Sequence, residues 1–177
     1  MKPIFLIGYM GSGKSTLGRA LGRMTSLDFI DLDHYIEARY RQTVREIFAA
    51  GEEQRFRDVE RRMLLEVAGF ENVVVACGGG TPCFGDNMEI MNAAGTTVFL
   101  DTSFPKLFSR LKRGRHKRPL IAEKTDDELA EFIASSLRAR MPHYSKARFS
   151  FRADLLENEV EIDETARRFI QTYIDHD

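Results

Sequence analysis

Short apolar segments alternate with longer amphipathic ones along the chain. The first apolar segment, Ile4–Ile7, has four apolar residues and stops at a glycine, so it is too short for a helix and is predicted to be a buried strand. The following segment, 14–24, carries Leu17 and Leu21 at helical spacing. The chain is therefore predicted to open with a strand, a glycine-containing loop and a helix.

The same alternation continues through the rest of the sequence. Further strands are predicted at 29–30, 73–76, 97–100 and 148–152, and helices at about 34–41, 44–49, 53–68, 103–111, 125–141 and 161–174. Five short, mainly apolar strands that alternate with helices predict an α/β fold, in which a five-stranded parallel sheet is flanked by helices on both faces.

Two local signals set boundaries in the C-terminal half. Thr125 and Glu128 form a capping box that opens one helix, and Pro142 is predicted to lie just beyond its end, because proline disfavours helical geometry in the preceding residue. The segment 112–119 has no apolar residue before Pro119 and is predicted to be a loop.

The composition fits one globular domain over residues 1–177. The chain is long enough to bury one core, and 43% hydrophobic with 30% charged residues excludes disordered and collagen-like classes. A net charge of -1 argues against a protein that mainly coats nucleic acid or an anionic membrane. Two cysteines, no leader-like start and no 18-residue apolar run lead us to expect a cytoplasmic protein without nucleic-acid or membrane partners.

A glycine-rich motif lies between the first strand and the first helix. The segment Gly8–Ser15 matches G-x-x-x-x-G-K-[ST], whose backbone N–H groups and helix N-terminus bind phosphate oxygens. In such a loop Lys14 reaches the β- and γ-phosphates, and the Ser15 hydroxyl binds Mg²⁺. The alternative, a glycine-rich turn with an exposed lysine, is disfavoured by the strand and helix on either side.

Two carboxylates follow at the end of the second strand. Asp31 and Asp33 lie two positions apart, so both side chains point the same way if the strand continues. At that end of an open α/β sheet, Asp31 can hold Mg²⁺ and Asp33 can accept a proton from an attacking hydroxyl. The alternative is a structural role in an Asx turn or as the N-cap of the next helix, for which Asp33 is suited.

Two arginines and three glycines suggest a site for an anionic acceptor. Arg140 continues the apolar face of its helix, so its guanidinium must meet an anion or open onto a cleft. Arg57 is a second candidate, although Glu60 at i+3 is also placed to form an exposed ion pair with it. Together the arginines can hold a carboxylate, and the glycine triplet Gly78–Gly80 after the third strand lets a ligand touch backbone.

The segment from 102 to 122 contains no acidic residue but many basic ones: Lys106, Arg110, Lys112, Arg113, Arg115, Lys117 and Arg118. A nucleic-acid patch is one interpretation. A mobile lid over residues 112–122, which closes on nucleotide phosphates and excludes water, fits better beside a phosphate loop.

With these motifs in place, the chain resembles the shikimate kinases over nearly its whole length. The resemblance rests on the phosphate loop and on five further matches: Asp31 with Asp33; Ile47-Phe48, Glu53, Phe56-Arg57 and Glu60; Gly78–Gly80; Arg118-Pro119-Leu120; and Arg140, Pro142 and Tyr144. It implies a P-loop fold of the nucleoside monophosphate kinase type. It also implies ATP-dependent phosphorylation of the 3-hydroxyl of shikimate, a step of chorismate and aromatic amino acid biosynthesis.

The resemblance also implies roles for individual residues. Asp33, Arg57, Gly79 and Arg140 would bind shikimate, with Asp33 also the base, within substrate-binding helices at about 34–60. Lys14 and Arg118 would stabilise the transferring phosphoryl group, and Ser15 and Asp31 would serve magnesium. The residues expected to contact ATP are Gly11, Ser12, Gly13, Lys14, Ser15, Thr16, Arg110 and Arg118.

The sequence departs from the family pattern at two places. Glu52 stands where the family usually has glycine, and the loop at about 154–159 lacks the arginine and proline expected against adenine. Gluconate kinases and nucleoside monophosphate kinases share the loop and fold, and the paired arginines disfavour most of the latter but not gluconate. A nucleotide switch is disfavoured because no Asn-Lys-x-Asp motif occurs. A small-molecule kinase that works as a monomer is the expectation.

Overall fold

A computed structural model describes residues 1–49 and 53–175. Five strands form one sheet in the order β2-β3-β1-β4-β5, and all four neighbouring pairs are parallel. The strands are β1 (Ile4–Ile7), β2 (Asp28–Asp31), β3 (Val73–Ala76), β4 (Thr96–Asp101) and β5 (Phe149–Arg152). The predicted five-stranded parallel sheet is confirmed.

Helices cover both faces of the sheet. They are α1 (Lys14–Met24), α2 (Leu32–Tyr40), α3 (Val44–Ala49), α4 (Glu53–Ala68), α5 (Asn87–Ala94), α6 (Phe104–Gly114), α7 (Asp126–Tyr144) and α8 (Glu159–Tyr173). Apolar side chains of α1 and α8 pack on one face, and those of α2 to α7 pack on the other. The central strands β1 and β3 are wholly apolar because both of their faces are buried, whereas the edge strands β2 and β5 contain polar residues and are partly exposed.

The structure corrects several predicted boundaries. Residues 112–119 are not all loop: α6 continues to Gly114, and a 3-10 turn follows at Arg115–Lys117, because basic side chains there form ion pairs that a sequence pattern does not reveal. The helix predicted to end before Pro142 runs two residues past it. The proline ring leaves the carbonyl group of Arg138 unpaired, and because Arg138 and Pro142 are both exposed, water can bind that carbonyl group. Helix α5 was not predicted.

The strand order places the site. The chain passes from β1 to the β2–β3 side and then returns to β4, so the order reverses at β1, and ligands bind open α/β sheets beside the carboxyl ends of strands at such a point. Gly8 follows β1, Asp31 ends β2 and Cys77 follows β3 at this edge. Within the described ranges, no helix is both long and apolar enough to cross a lipid bilayer.

Candidate active site

The phosphate loop curls around the ammonium group of Lys14. Gly11 and Gly13 have φ angles of 79° and 96°, a region in which residues with a Cβ are strained. The Lys14 Nζ atom donates to the carbonyl oxygens of Gly8 and Tyr9, each at 2.9 Å. Burial lowers the pKa of Lys14 to about 8, and the nearby carboxylates of Asp33 and Asp31 limit the fall. The loop therefore holds one buried amine at the N-terminus of α1.

A cavity of about 420 Å³, called here the nucleotide cavity, opens beside this loop. Its lining includes most of the residues expected to contact ATP: Gly11, Gly13, Lys14, Ser15, Thr16, Arg110 and Arg118. Ser12 is the exception, because its side chain is fully buried and lines a small cavity behind the loop. The lining is strongly cationic, which suits a polyphosphate.

Three residues of the nucleotide cavity were not predicted from sequence: Arg113, Leu156 and Glu157. Arg110 is fixed there by its Nε atom, which donates to Glu157 at 2.8 Å, and by its Nη2 atom, which donates to the carbonyl oxygen of Asp154 at 2.9 Å. Arg113 also pairs with Glu157. The loop after β5 thus carries the carboxylate of Glu157 where the family pattern suggests a cation. The absence of the expected arginine and proline from this loop was the only sign of it in the sequence.

Asp31 joins the phosphate loop at the end of β2. The Ser15 hydroxyl donates a hydrogen bond of 2.6 Å to its Oδ2 atom. Asp31 occupies the N-cap position of α2 but makes no side-chain capping hydrogen bond, so its carboxylate turns toward Ser15 instead. A hydroxyl and a carboxylate in contact are hard oxygen donors, which Mg²⁺ prefers. Within residues 1–49 and 53–175, no three His, Cys, Asp or Glu side chains form a cluster that could hold a metal ion.

Asp33 lies in the first turn of α2 and is not its N-cap, so the capping role considered from sequence is wrong. Strand β2 ends at Asp31, and the helix turns Asp33 toward the end of β3. A Cβ placed on Gly78 would lie 3.4 Å from its Oδ1 atom. Burial raises the pKa of Asp33 to about 6, and the carboxylates of Asp31 and Glu60 add to the rise. Such a carboxyl group is suited to take a proton near neutral pH.

Arg57 is held in a buried network, which contradicts the exposed ion pair considered from sequence. Its Nη1 atom donates to Glu60 at 2.8 Å, and the Glu60 side chain is only 1% exposed. Thr81 donates to the second oxygen of Glu60 at 2.6 Å. The Arg57 guanidinium also lies over the Phe84 ring, with Cζ 3.7 Å from the centroid. Its Nη2 atom also donates to the exposed carboxylate of Glu53 at 3.3 Å, so Glu60, Glu53 and the Phe84 ring together fix the guanidinium plane.

The glycine triplet gathers the predicted acceptor-binding residues. A Cβ on Gly79 would lie 3.2 Å from Nη1 of Arg140, and one on Gly80 would lie 3.0 Å from Nη2 of Arg57. The phosphate loop lies on the same side of Gly79, since this Cβ would also lie 3.4 Å from the amide nitrogen of Met10. Asp33, Arg57 and Arg140 thus converge on the triplet next to Lys14. We call this region the acceptor site.

Cys77, directly after β3, is a buried thiol, and burial raises its pKa far above the ordinary value.

The residues around 112–122 are anchored at both ends. Lys112 and Arg115 both pair with Asp126, and Ile121 is fully buried, whereas Leu120 is 70% exposed. Arg118 lies between these anchors and faces the nucleotide cavity.

A parallel sheet with a phosphate loop after β1 and a second polar site beside it defines a small-molecule P-loop kinase of the nucleoside monophosphate kinase type. A family model described as shikimate kinase matches residues 10–173. The chain belongs to the shikimate kinase family, and it is an ATP-dependent phosphotransferase.

Individual relatives agree with this assignment. The chain is 56% identical to a shikimate kinase of Phocaeicola vulgatus, over 92% of this chain and 93% of that one. It is 47% identical to one of Parabacteroides distasonis, over 97% and 99% of the two chains. The crystal structure of shikimate kinase from Bacteroides thetaiotaomicron superposes with a TM-score of 0.92 at 49% identity over 97% of both chains. Shikimate kinase from Acinetobacter baumannii in complex with shikimate gives 0.80 at 28% identity, over 97% of this chain and 92% of that one.

Glu52, the position at which the motif departs from the family pattern, lies outside the described residues.

Proposed function

We propose that this protein transfers the γ-phosphoryl group of ATP to the 3-hydroxyl of shikimate, with the acceptor held at the glycine triplet. The observation that carries the proposal is that Asp33, Arg140 and Arg57 lie against Gly78, Gly79 and Gly80 respectively, beside Lys14. Two guanidinium groups suit one carboxylate, and a carboxyl group with a raised pKa suits one hydroxyl. Shikimate carries both functional groups, and a relative of known structure was solved in complex with it.

Binding of the acceptor follows from the fixed arginines. The guanidinium of Arg57 is held by Glu60 and Phe84, so it loses little conformational entropy when it binds a carboxylate. The Arg140 guanidinium lies against Gly79, next to the glycine that Arg57 meets. The glycine lets the acceptor lie against backbone between the two cations.

Proton transfer falls to Asp33. As its pKa is raised to about 6, most of the group is ionised at neutral pH yet more basic than an ordinary aspartate. In the proposed mechanism its carboxylate accepts the proton of the 3-hydroxyl as the oxygen attacks the γ-phosphorus in line with the departing ADP oxygen.

Two cations of the protein would stabilise the negative charge on the transferring phosphoryl group. Lys14 lies in the phosphate loop, and Arg118 lies in the segment 112–122, which we propose acts as the lid. Ser15 and Asp31 would hold Mg²⁺, which when bound neutralises phosphate charge. Arg110, placed by Glu157, would contact the adenine side of the nucleotide. We further propose that residues 1–177 form one domain that acts as a monomer.

The test is a coupled assay of ADP formation with shikimate, gluconate, quinate and AMP as acceptors. We expect kcat/KM for shikimate to exceed that for each other acceptor by at least about 100-fold. AMP lacks the carboxylate that the arginines would bind, whereas gluconate and quinate carry a carboxylate and hydroxyl groups but differ from shikimate in shape, so they test the fit of the acceptor site and not its charge alone. Equal or faster turnover of gluconate or AMP would contradict the assignment of the acceptor.

A further inference from the structure

Tyr9 is a buried residue that touches both halves of the active site. It follows β1 within the phosphate loop, and its side chain is only 1% exposed. Its carbonyl oxygen accepts hydrogen bonds from Lys14 Nζ at 2.9 Å and from the Ser12 amide at 3.1 Å. Its backbone therefore belongs to the nucleotide half of the site.

The side chain of Tyr9 reaches the acceptor half. Its hydroxyl is hydrogen-bonded to Ser136 of α7, and its ring lies 5.5 Å from the Arg140 guanidinium carbon. Ser136 and Arg140 are four residues apart, so they lie on the same helix face in successive turns. Tyr9 thus contacts α7 in two successive turns, at Ser136 and at Arg140.

The direction of the hydroxyl contact can be assigned. Ser136 uses its own proton to donate to the carbonyl oxygen of Phe132 at 2.6 Å. The Tyr9 hydroxyl must therefore donate to Ser136 Oγ. Each hydroxyl hydrogen then has an acceptor, and burial strengthens such a chain.

We infer that Tyr9 is a positioning residue: its hydroxyl fixes α7 against the phosphate loop and its ring supports the Arg140 guanidinium, which sets the affinity for the acceptor carboxylate. A ring face attracts a cation, and here it also prevents the guanidinium from turning into the loop. This inference rests on the proposed role of Arg140. It adds a residue outside the set that touches the acceptor.

The experiment compares Tyr9→Phe and Ser136→Ala with the matched control Ser135→Ala. Ser135 lies on the same helix and donates to the same Phe132 carbonyl oxygen, but it is exposed and does not meet Tyr9. Calorimetry gives the dissociation constants of shikimate, of its neutral amide and of ADP, and thermal unfolding gives Tm. Arg140→Lys is measured in parallel.

We expect Tyr9→Phe and Ser136→Ala to weaken shikimate binding about threefold to tenfold, the loss associated with one hydrogen bond. Binding of ADP and of the neutral amide should change less than twofold, and Ser135→Ala should resemble the wild type. The double variant should be no weaker than the single ones, because both remove the same contact. Tyr9→Phe leaves Ser136 bonded to Phe132, so it should fold normally.

Three results would overturn the inference. If Arg140→Lys weakens shikimate binding but Tyr9→Phe does not, Tyr9 has no positioning role, while the proposed function stands. If Tyr9→Phe weakens shikimate, amide and ADP alike, its effect is a general loss of structure. If Arg140→Lys itself leaves shikimate binding unchanged, the proposed carboxylate site is wrong, and the role of Tyr9 fails with it.

Discussion

The Ser15 hydroxyl, in the first turn of α1, donates a 2.6 Å hydrogen bond to the carboxylate of Asp31 at the end of β2, although β1, which leads into α1, and β2 are not neighbours in the sheet. Ser15 follows β1 and Asp31 ends β2, and β3 lies between these strands. The contact therefore spans the switch point of the sheet, and it brings together two oxygen donors that are 16 residues apart in the chain. The strand order therefore brings the phosphate-loop motif and the aspartate motif together into one proposed magnesium site.

The first prediction concerns this pair. Asp31→Asn should raise the Mg²⁺ concentration needed for half-maximal activity by about 10- to 100-fold, because an amide neither carries charge nor orients Ser15 as a carboxylate does. Initial rates over a magnesium titration at fixed ATP measure the effect. Asp28→Asn, at the exposed start of the same strand, is the control. An unchanged magnesium requirement would show that Asp31 does not serve the metal.

The second prediction concerns Asp33 as the base. Asp33→Asn should lower kcat by about 100-fold or more, since an amide cannot accept the proton. In the wild type kcat/KM should rise with pH along an acidic limb whose apparent pKa lies above that of an ordinary aspartate, because burial raises the pKa of Asp33 to about 6, and this limb should disappear in the variant. Activity of the variant within about threefold of wild type would exclude the role.

Stability provides an independent check on the same residue. Because the pKa of Asp33 is raised from 3.8 to about 6 on folding, the folded state binds this proton more tightly than the unfolded state. The wild type should therefore lose unfolding free energy relative to Asp33→Asn as pH rises from about 4 to 6, by about 1–3 kcal/mol. Denaturant titrations of both proteins at pH 4 and pH 7 measure this difference.

Arg118 is expected to act on the transition state. Arg118→Ala should lower kcat substantially and leave the dissociation constant of shikimate nearly unchanged, because its contact forms mainly as charge develops on the phosphoryl group. Steady-state kinetics with calorimetry separate these quantities. The exposed neighbour Lys117→Ala should match wild type. Weaker shikimate binding with normal kcat would place Arg118 at the acceptor instead.

Arg140 is expected to hold the carboxylate. Arg140→Lys keeps the charge but loses the planar fork, so shikimate should bind about 30- to 150-fold more weakly, or about 2–3 kcal/mol, with folding retained. The neutral amide of shikimate should bind wild type poorly and lose much less on the same substitution. Arg138→Lys, exposed on the same helix, is the control. If the affinity losses from Arg140→Lys and from the amide simply add, Arg140 does not contact the carboxylate.

Arg57 should behave like Arg140 but for a different reason. Arg57→Lys retains an ion pair with Glu60 yet loses the stacking on Phe84, so shikimate affinity should fall about 10- to 100-fold. Arg61, one turn further along α4, pairs with exposed Asp86, and Arg61→Lys should change affinity less than twofold. Calorimetry measures the dissociation constant of shikimate for both variants. If Arg57→Lys and Arg61→Lys have equally small effects, the planar guanidinium of Arg57 is not needed for binding.

Sequence patterns predicted the elements whose apolar residues repeat regularly. The buried side of α4, including Phe56, Val59 and Met63, follows the helical period, so its bounds agree with the prediction. Helix α5 was missed because it has only eight residues and two buried methionines, too few for a period to emerge. The prediction that 112–119 is a loop was wrong in part, because Lys112 and Arg115 of this segment form ion pairs with Asp126, which is distant in sequence.

The candidate site divides in the same way. For motif residues such as Lys14 and Asp31, the residue type and its spacing from neighbouring motif residues were enough to predict that they lie in the active site. The burial of Glu60 and the position of Glu157 depend on which loops meet in three dimensions, and no local pattern contains that information. The fixed guanidinium of Arg57 was therefore visible only in the structure.

The glycine triplet has a consequence for drug resistance. A competitive inhibitor seated against Gly78–Gly80 meets a wall that has no side chain to alter. A Cβ on Gly79 or Gly80 would lie 3.2 Å from the Arg140 guanidinium or 3.0 Å from that of Arg57, and turnover is proposed to require both groups. A Cβ on Gly78 would lie 3.0 Å from Oγ1 of Thr81, which donates to the Glu60 carboxylate that holds Arg57. Escape by mutation along this wall should therefore reduce the enzyme's own activity, which makes it a favourable surface against which to design inhibitors.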